Sequence, residues 1–401
     1  MSRNRQDQLK IFVVAGEASG DAIAAQIMHH LKKRSEQPIE FHGVGGSCMA
    51  REGLQSLFPM EHLSVMGLAE VLPRLPNLLQ KISYCIDKIE KIKPDLLLTI
   101  DSPDFSFSLH KAIDKKAKVK PVKIHCVAPT VWAWREGRAK KVSCFLDLLL
   151  CLFPFEPDYF KKYGLPAEFI GNPAIHFSNS FKGNKQEIDL NKKEAINVGL
   201  LFGSRKSEIL RHGKIITEVA RNIELSKSSC CFKTLTLPHL RPHIEELAEY
   251  ADLKIEIEDT HENKWHFIHA LDAALVVSGT MGFELAVARV PHAILYKMNL
   301  LSWLMIKNMV SIKHAHMANI IMDKQQESPG RAYTPVRIKE FIQKDCNVET
   351  ITEYMKEILF NKAERKEKIE FLDNLQNTLI KNNKQDFGQN AVNAIFRALG
   401  K

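Results

Sequence analysis

Two carboxylates follow one of the apolar runs in the first half of the chain. Asp101 comes directly after residues 96–100, and Asp104 follows Pro103. In parallel α/β proteins the carboxyl ends of strands form ligand sites, and a carboxylate there can accept the proton of an attacking hydroxyl group. One of the two is therefore a candidate general base. Asp104, directly after a proline, is equally typical of a helix cap.

A turn of small residues ends the first apolar run of the chain. Its sequence is Ala15-Gly16-Glu17-Ala18-Ser19-Gly20-Asp21. Backbone amides in such a strand-to-helix turn can approach a ligand closely. The turn departs from the dinucleotide fingerprint, because the carboxylate of Glu17 would repel a pyrophosphate. An equal alternative is a structural turn in which Ser19 or Asp21 caps the following helix.

Two similar turns lie in the second half of the chain. Their residues are Gly203-Ser204-Arg205 and Ser278-Gly279-Thr280, the latter with Glu284 one helical turn later. Amides at helix N termini and an arginine suit a diphosphate, and a glutamate can accept hydrogen bonds from ribose hydroxyls. Each Ser or Thr can equally be an ordinary cap, so one such turn alone is a weak signal.

Aromatic and apolar clusters suggest contacts with sugar and lipid. Residues 129–138 include Trp132, Trp134 and Arg135, and residues 300–310 include Trp303. Aromatic faces pack against sugars and guanidinium groups bind phosphate, while apolar residues among polar ones can lie in a membrane interface. Residues 71–79 show the same interfacial pattern through Val71, Leu72, Leu75, Leu78 and Leu79. Core packing is the alternative for all three stretches.

Short apolar runs alternate with amphipathic stretches and indicate the elements that position these residues. The runs are residues 11–15, 41–44, 96–100, 124–127 and 146–153, then 198–202, 232–237, 253–257, 274–277 and 293–296. Buried parallel strands that alternate with helices form βαβ units. The pattern therefore predicts an α/β fold of two tandem Rossmann-like domains.

Changes in composition mark the expected domain limits. Ser, Asn, Lys and Gly dominate residues 173–195, and strand signals end beyond Pro335. We expect an N-terminal domain at 1–172, a linker at 173–195 and a second domain at 196–365. C-terminal helices are expected at 366–401, packed on the N-terminal domain or on a partner subunit.

Composition and charge narrow the class of protein. The 401 residues carry 56 Lys and Arg against 47 Asp and Glu, and this charge of +9 favours an anionic partner. The basic residues are dispersed, so a nucleic-acid partner is not expected. The eight cysteines lack Cys-x-x-Cys or paired Cys/His spacing, which predicts reduced thiols and no metal site. The polar N terminus and the lack of a ~20-residue apolar run predict a cytoplasmic protein with at most peripheral membrane contact.

The ordered set of motifs from about residue 10 to about residue 300 resembles the lipid-A-disaccharide synthases. Besides the turns above, the set includes Val65-Met66-Gly67 with Glu70-Val71-Leu72, Val131-Trp132-Ala133-Trp134-Arg135, Phe153-Pro154-Phe155-Glu156, and Glu208 after Arg205. The resemblance implies an inverting glycosyltransferase of the GT-B type that needs no metal and no cofactor. Its donor would be UDP-2,3-diacylglucosamine, its acceptor 2,3-diacylglucosamine 1-phosphate, and its products a β-1,6-linked disaccharide phosphate and UDP.

The resemblance also assigns roles to individual positions. Catalytic roles fall on Asp101 and Glu17, and nucleotide or diphosphate binding on Gly203, Ser204, Arg205, Ser278, Gly279, Thr280 and Glu284. The acceptor or cleft positions are Gly16, Ser19, Trp134, Arg135, Asn172 and Asn319. Val71, Leu72, Leu75, Leu78 and Leu79 would face the inner membrane of a Gram-negative bacterium. The family's ability to exchange C-terminal segments is compatible with a homodimer.

The chain departs from the family pattern at three places. Asn172 stands where the family usually has His, Phe202 stands before Gly203 in place of Pro, and after Lys313 only Asn319 of a Leu-Pro-Asn motif is retained. These changes leave two alternatives open. One is an epimerase or hydrolase of UDP-sugars on the same fold. The other is a paralogue that binds UDP-sugar or lipid with changed specificity or without transferase activity.

Overall fold

A computed structural model of the protein describes residues 8–63, 68–131, 137–180, 195–226, 229–260, 263–299, 303, 313–326, 337–381 and 386–401. The chain divides into two compact units. The first comprises Met1–Pro173, Leu304–Ser311 and Asn382–Lys401, and the second comprises Ala174–Trp303 and Ile312–Lys381. Each unit has a parallel sheet of its own.

The sheet of the first unit has the strand order β2-β1-β3-β4-β5-β6. Its strands are β1 (Leu9–Ala15), β2 (Ile39–Val44), β3 (Leu96–Ile100), β4 (Val122–Cys126), β5 (Leu148–Cys151) and β6 (Ala167–Phe169). The direction of strand addition reverses between β1 and β3, where Ala15 lies beside Ile100. Open α/β sheets bind ligands at the carboxyl ends of the strands on either side of such a reversal. We call this place the first crevice.

The sheet of the second unit has the order β12-β11-β10-β7-β8-β9. Its strands are β7 (Ile196–Leu201), β8 (Cys230–Leu235), β9 (Ile255–Glu258), β10 (Ala273–Val277), β11 (His292–Tyr296) and β12 (Lys339–Ile342). Here the reversal falls between β7 and β10, and we call the carboxyl ends of these two strands the second crevice. The two parallel sheets confirm the predicted fold of two Rossmann-like domains.

Helices connect the strands and close the C-terminal part. They are α1 (Ala18–Arg34), α2 (Ser47–Arg51), α3 (Leu68–Ile92), α4 (Pro103–Lys116), α5 (Gly137–Val142), α6 (Asp158–Lys161), α7 (Pro173–Ser180), α8 (Lys206–Glu224), α9 (Arg241–Tyr250), α10 (Lys264–Ala270), α11 (Thr280–Val287), α12 (Met317–Gln326), α13 (Val348–Phe360), α14 (Lys362–Lys381) and α15 (Phe387–Ala398). The side chains of Asn347 and Asp386 cap α13 and α15 by accepting hydrogen bonds from first-turn amides. Helices α13 to α15 confirm the predicted C-terminal helical segment.

Two strands and one helix differ from the sequence predictions. Strands β6 and β12 were not predicted, and β12 lies beyond Pro335, where only helices were expected. Both are short edge strands that contain polar residues, so they lack the continuous apolar run of a central strand. Helix α7 begins inside the stretch that was interpreted as a linker; residues 181–194 of that stretch lie outside the described residues.

The central strands are buried in hydrophobic cores, which hold the turns at their ends in place. In the first unit Phe12 of β1 is fully buried, and in the second unit Leu200 of β7 and Leu275 of β10 are fully buried. Helix α13 adds Ile351 and Met355 to the core of the second unit. Close packing of this kind resists small displacements of the backbone. Within the described helices, none has both the length and the apolar character needed to cross a bilayer.

Candidate active site

The turns after β1 and β3 touch each other in the first crevice. A Cβ atom on Gly16 would lie 2.1 Å from Ser102 Oγ, and one on Gly20 would lie 3.3 Å from Asp101 Cβ. No side chain therefore fits at Gly16, because the turn after β3 occupies that space. The structure brings together the predicted residues Gly16, Ser19 and Asp101, and Glu17 stands at the N-cap of α1 in the same turn.

The Asp101 side chain is fixed by hydrogen bonds from its neighbours. Its Oδ1 accepts from the Ser102 amide at 2.8 Å, and its Oδ2 lies 3.3 Å from the Ser19 hydroxyl group that donates to it. The Asp101 carbonyl accepts from Ser106 Oγ at 2.9 Å, and its amide donates to the Cys126 carbonyl at 3.1 Å. Because both ends of the residue are held, the carboxylate points in one direction at a partly exposed turn.

Backbone strain is concentrated beside this carboxylate. Asp101, Ser102 and Val127 have φ angles of 56°, 42° and 77°. Left-handed conformations of this kind cost of the order of 1–3 kcal/mol for residues other than glycine, and β-branched residues rarely adopt them. All three residues directly follow β3 or β4, so the strain lies at the edge of the sheet that carries Asp101. Such strain is common at active sites, where the surrounding structure holds it in place.

Asp21 has a different role from the predicted cap of α1. Its carboxylate accepts from the amides of Gly46 at 2.8 Å, Cys48 at 2.8 Å and Met49 at 3.1 Å. These amides belong to the start of α2, so Asp21 caps α2 and ties the turn after β2 to the turn after β1. The N-cap of α1 is Glu17, without a side-chain capping bond, so the alternative with Ser19 or Asp21 as cap is wrong.

In the second crevice the loop after β7 is folded around Glu208. Gly203 has a φ of 96°, and a Cβ atom on it would lie 2.3 Å from Glu208 Oε2. The Ser204 amide donates to Glu208 Oε2 at 2.9 Å, and Arg205 Nη1 donates to Glu208 Oε1 at 2.8 Å. Glu208 therefore orients the Arg205 guanidinium group. Sequence reasoning gave Glu208 no role, although its spacing of three from Arg205 on a helix is the signal for an ion pair.

The turn after β10 carries the predicted residues Ser278, Gly279 and Thr280 at the same crevice. Ser278 donates its amide to the Leu295 carbonyl at 3.1 Å, and Gly279 is the N-cap of α11. Since β7 and β10 are neighbours, the N termini of α8 and α11 lie at adjoining strand ends, and both favour an anion there. Glu284 is buried on α11 and accepts a hydrogen bond from Lys264 Nζ at 2.6 Å. Lys264 was not predicted, because twenty residues of sequence separate the two partners.

His212 links α8 to the end of β11. Its Nδ1 lies 2.8 Å from the Glu208 carbonyl, which can only accept, so Nδ1 carries the proton. Its Nε2 then accepts from the Lys297 amide at 2.8 Å. This arrangement requires a neutral ring, and burial lowers the pKa of His212 accordingly. The histidine was missed from sequence, although it stands four residues after Glu208 on the same helix face.

A pair of buried histidines lies beneath α11. His292 Nδ1 donates to the Val290 carbonyl at 2.7 Å, and His316 Nδ1 accepts from the Ala318 amide at 3.0 Å. The two Nε2 atoms are 2.9 Å apart, so His316 donates and His292 accepts. Burial lowers the pKa of His292 to about 4 and lowers that of His316 as well. The pair is therefore neutral, and it supports Gly282 of α11, where a Cβ atom would lie 3.0 Å from His316 Nε2.

Asn319, expected in the acceptor or cleft group, has a structural position in the second unit. It is fully buried. Its Nδ2 donates to the Ile338 carbonyl at 2.9 Å and to Glu340 Oε1 at 2.7 Å, and its Oδ1 accepts from the Ile338 amide at 2.9 Å. Both donor hydrogens are used, so the amide joins α12 to β12. This explains why Asn319 is retained in a segment that otherwise departs from the family pattern.

The remaining predicted residues are placed only in part. Asn172 is buried in the first unit, and Leu79 on α3 is 56% exposed while Leu78 is half-buried. Trp134 and Arg135 lie outside the described residues, as do the side chains of Val71, Leu72 and Leu75. In the described ranges there is no group of three or more His, Cys, Asp or Glu residues placed to hold a metal ion.

Sequence comparison identifies the family. A family model described as lipid-A-disaccharide synthetase matches residues 11–393. The chain belongs to the lipid-A-disaccharide synthase family. It is therefore a glycosyltransferase of lipid A biosynthesis, as its motifs predicted. A lipid-A-disaccharide synthase of Rhodospirillum centenum is 36% identical over 368 residues, covering 90% of this chain and 88% of the relative. One of Rickettsia conorii is 35% identical over 379 residues, covering 90% and 81%.

Solved structures show the same fold in proteins of distant sequence. A complex of Staphylococcus aureus MnaA with UDP has a TM-score of 0.61 at 12% identity, covering 90% of this chain and 91% of that one. A kitacinnamycin glycotransferase has a TM-score of 0.60 at 12% identity, covering 98% and 99%. A UDP-GlcNAc 2-epimerase of Neisseria meningitidis, bound to UDP-GlcNAc, has a TM-score of 0.58 at 11% identity, covering 94% and 100%. These similarities concern the fold alone, whereas the sequence match is to the synthases, so the epimerase alternative is not favoured.

Proposed function

We propose that this synthase-family protein transfers the sugar of UDP-2,3-diacylglucosamine to 2,3-diacylglucosamine 1-phosphate and releases UDP. The names of the curated relatives support the disaccharide product. The observation that carries the chemical step is the position of Asp101, held in a strained turn where the strand order of the first sheet reverses. A carboxylate in that position is suited to activating a hydroxyl nucleophile.

In the proposed reaction the acceptor's 6-hydroxyl oxygen attacks the anomeric carbon of the donor. The bond from that carbon to the diphosphate oxygen breaks, and the configuration inverts. When Asp101 acts as the base, the hydroxyl proton passes to its carboxylate, which the Ser102 amide and the Ser19 hydroxyl group hold in place. Asp101 acts as the base or as the group that orients the hydroxyl, and Glu17 is the second carboxylate of the same crevice.

Donor binding is proposed for the second crevice. Departing UDP carries negative charge on its diphosphate, and Arg205 together with the first-turn amides of α8 and α11 can stabilise that charge. The Ser204 amide is already bonded to Glu208, so the predicted contact of Ser204 with the diphosphate is left to its exposed hydroxyl group. Glu284 is proposed to accept hydrogen bonds from the ribose. The UDP and UDP-GlcNAc complexes of proteins with this fold support a uridine nucleotide as the ligand.

The proposed mechanism uses no metal ion and no cofactor. Positive charge for the leaving group comes from Arg205 and from two helix N termini, so a divalent cation has no step of its own. The expected result is unchanged product formation in excess EDTA. Loss of product in EDTA that returns on adding magnesium would contradict this part of the proposal.

A direct assay tests the function. The protein is incubated with UDP-2,3-diacylglucosamine and 2,3-diacylglucosamine 1-phosphate in detergent, and mass spectrometry measures the disaccharide phosphate. We expect that product together with UDP. A protein that binds UDP but forms no disaccharide from these substrates would instead support the alternative of a paralogue with changed specificity or no transferase activity.

Membrane contact is proposed through α3 of the first unit. Leu79 is 56% exposed and Tyr84 is 40% exposed, and Lys88 Nζ lies 5.3 Å from the centre of the Tyr84 ring. An exposed leucine and tyrosine with a half-buried lysine on one helix are suited to a membrane interface. We propose a cytoplasmic protein on the inner membrane of a Gram-negative bacterium. Sedimentation with anionic vesicles tests it, and Leu79→Ser should reduce the bound fraction; equal binding of both proteins would contradict the patch.

A homodimer is also proposed. Its support is the family's exchange of C-terminal segments between subunits. Light scattering of the purified protein should give twice the 45.7 kDa of one chain. A mass of one chain at all concentrations tested would contradict the dimer.

A further inference from the structure

A lysine of the second unit forms an ion pair with the glutamate proposed to bind ribose. Lys264 begins α10, and its Nζ lies 2.6 Å from Glu284 Oε1. The side chains are 21% and 11% exposed, so water reaches this pair much less than it reaches a surface ion pair. Because burying two charges is costly, such a pair is favourable only when its geometry is good, and a distance of 2.6 Å satisfies this condition.

The surroundings of Lys264 fix its position. Its Nζ lies 5.6 Å from the centre of the neighbouring Trp265 ring, which adds a cation–π contact. Trp265 is buried and stacks on Phe177 of the same unit at 6.0 Å. The lysine stem is therefore anchored at the start of α10, and its ammonium group reaches across to α11. This leaves the Glu284 carboxylate with one orientation.

The two oxygens of Glu284 then have different tasks. Oε1 is bonded to Lys264. Oε2 accepts no hydrogen bond from the described residues, and the 11% exposed fraction of the side chain leaves it limited access to solvent. Glu284 stands one turn into α11, whose N terminus faces the second crevice. A carboxylate oxygen in this position, without a protein donor, can accept hydrogen bonds from the hydroxyl groups of a ribose bound to the adjoining diphosphate.

We propose that Lys264 is a positioning residue for the nucleotide: its ammonium group holds Glu284 Oε1 so that Oε2 is directed at the ribose hydroxyls of UDP. The inference rests on the proposed nucleotide site and adds the residue that sets its preference for a ribonucleotide.

The test compares UDP with 2′,3′-dideoxy-UDP by titration calorimetry on the full-length protein. We expect the wild type to bind UDP about tenfold or more tightly than the dideoxy analogue, because a polar site built for a hydroxyl rejects the ligand that lacks it. In Lys264→Met the affinity for UDP should fall close to that for the analogue, while the affinity for the analogue is unchanged. Lys264→Arg should restore most of the preference. Lys254→Met, at an exposed position of the same unit, is the matched control and should behave as wild type.

Three results would overturn the inference in distinguishable ways. Equal weakening of both ligands in Lys264→Met means that the lysine only supports the fold. An unchanged preference for UDP in Lys264→Met, together with a lost preference in Glu284→Ala, means that Glu284 binds ribose without Lys264. If Glu284→Ala also leaves the preference unchanged, or the wild type does not bind UDP, the proposed nucleotide site itself is wrong and the inference falls with it.

Discussion

The two crevices share one topology and differ in how their turns are built. In the first, glycines bring two turns into contact, and a carboxylate is held in strained backbone by hydroxyl and amide donors. In the second, two helix N termini adjoin, and each of two cations is paired with a buried glutamate through Arg205–Glu208 and Lys264–Glu284. A fixed carboxylate suits proton transfer, whereas oriented cations and amides suit an anion. We therefore propose that the same sheet reversal serves two different steps.

Replacing Asp101 should lower activity more than any other substitution, and the neighbouring Asp104 provides the control. Asp101→Ala should lower kcat by about 10²–10⁴-fold, the usual contribution of a positioned proton acceptor. Asp104 is exposed and paired with Arg138, so Asp104→Asn should leave kcat near the wild-type value. Rates of disaccharide formation measured by mass spectrometry provide the comparison. A fully active Asp101→Asn would remove Asp101 from the role of base.

Two glycine substitutions should each damage only one crevice. Gly16→Ala must displace the turn of Ser102 and Asp101, and a shift of about 1 Å can cost up to about 10²-fold in rate. Gly203→Ala must displace Glu208 and so the Arg205 guanidinium group, which should weaken UDP binding. Kinetics and UDP titration of both variants check this.

Gly53→Ala is the control for backbone strain, because Gly53 has a φ of 92° and nothing within 4 Å of a Cβ atom there. It should reduce stability slightly without changing kcat or UDP affinity. If Gly16→Ala weakened UDP binding as much as Gly203→Ala, the division of labour between the crevices would be contradicted.

Acid should destabilise the second unit through its histidine pair. The pKa of His292 is about 4 in the folded protein, below its ordinary value of 6.5, so the unfolded chain takes up the proton first. Stability present above pH 6.5 should therefore be lost as the pH falls to 4, by about 3 kcal/mol for this group. Urea unfolding across that pH range measures it. His292→Gln should flatten the dependence, while His176→Gln, at an exposed position, should not.

The smallest expected effect concerns the support of Arg205. Glu208→Gln cannot accept both from the Ser204 amide and from Arg205, so one hydrogen bond is lost. The dissociation constant for UDP should rise about threefold to tenfold, the worth of one hydrogen bond. Titration with UDP measures this. An unchanged affinity would mean that Glu208 supports the fold of the loop only.

Sequence reasoning captured the central strands and the turns that follow them. Asp101, Arg205 and Glu284 stand next to continuous apolar runs, and strand ends of a parallel sheet adjoin by necessity. The edge strands β6 and β12 were not predicted because they are short and their apolar residues are interrupted or preceded by polar ones. The sequence did not predict the role of Lys264, because its partner Glu284 lies on another helix and no periodicity connects the two residues.

Asn319 shows a further limit of reasoning from motifs. Its retention in an altered segment suggested a role in the cleft, but its side-chain amide is fully hydrogen-bonded to Ile338 and Glu340. A buried amide that joins a helix to an edge strand is as hard to replace as a binding residue, because removing it leaves polar groups unpaired. Only the hydrogen bonds distinguish the two cases.

We propose that the first crevice carries out proton transfer and that the second binds the nucleotide. UDP titration and the disaccharide assay, applied in parallel to Asp101→Ala and Arg205→Ala, test it most directly. We expect Asp101→Ala to bind UDP like the wild type yet to form almost no disaccharide, and Arg205→Ala to bind UDP at least about tenfold more weakly. Loss of UDP binding in Asp101→Ala, or wild-type UDP affinity in Arg205→Ala, would contradict it.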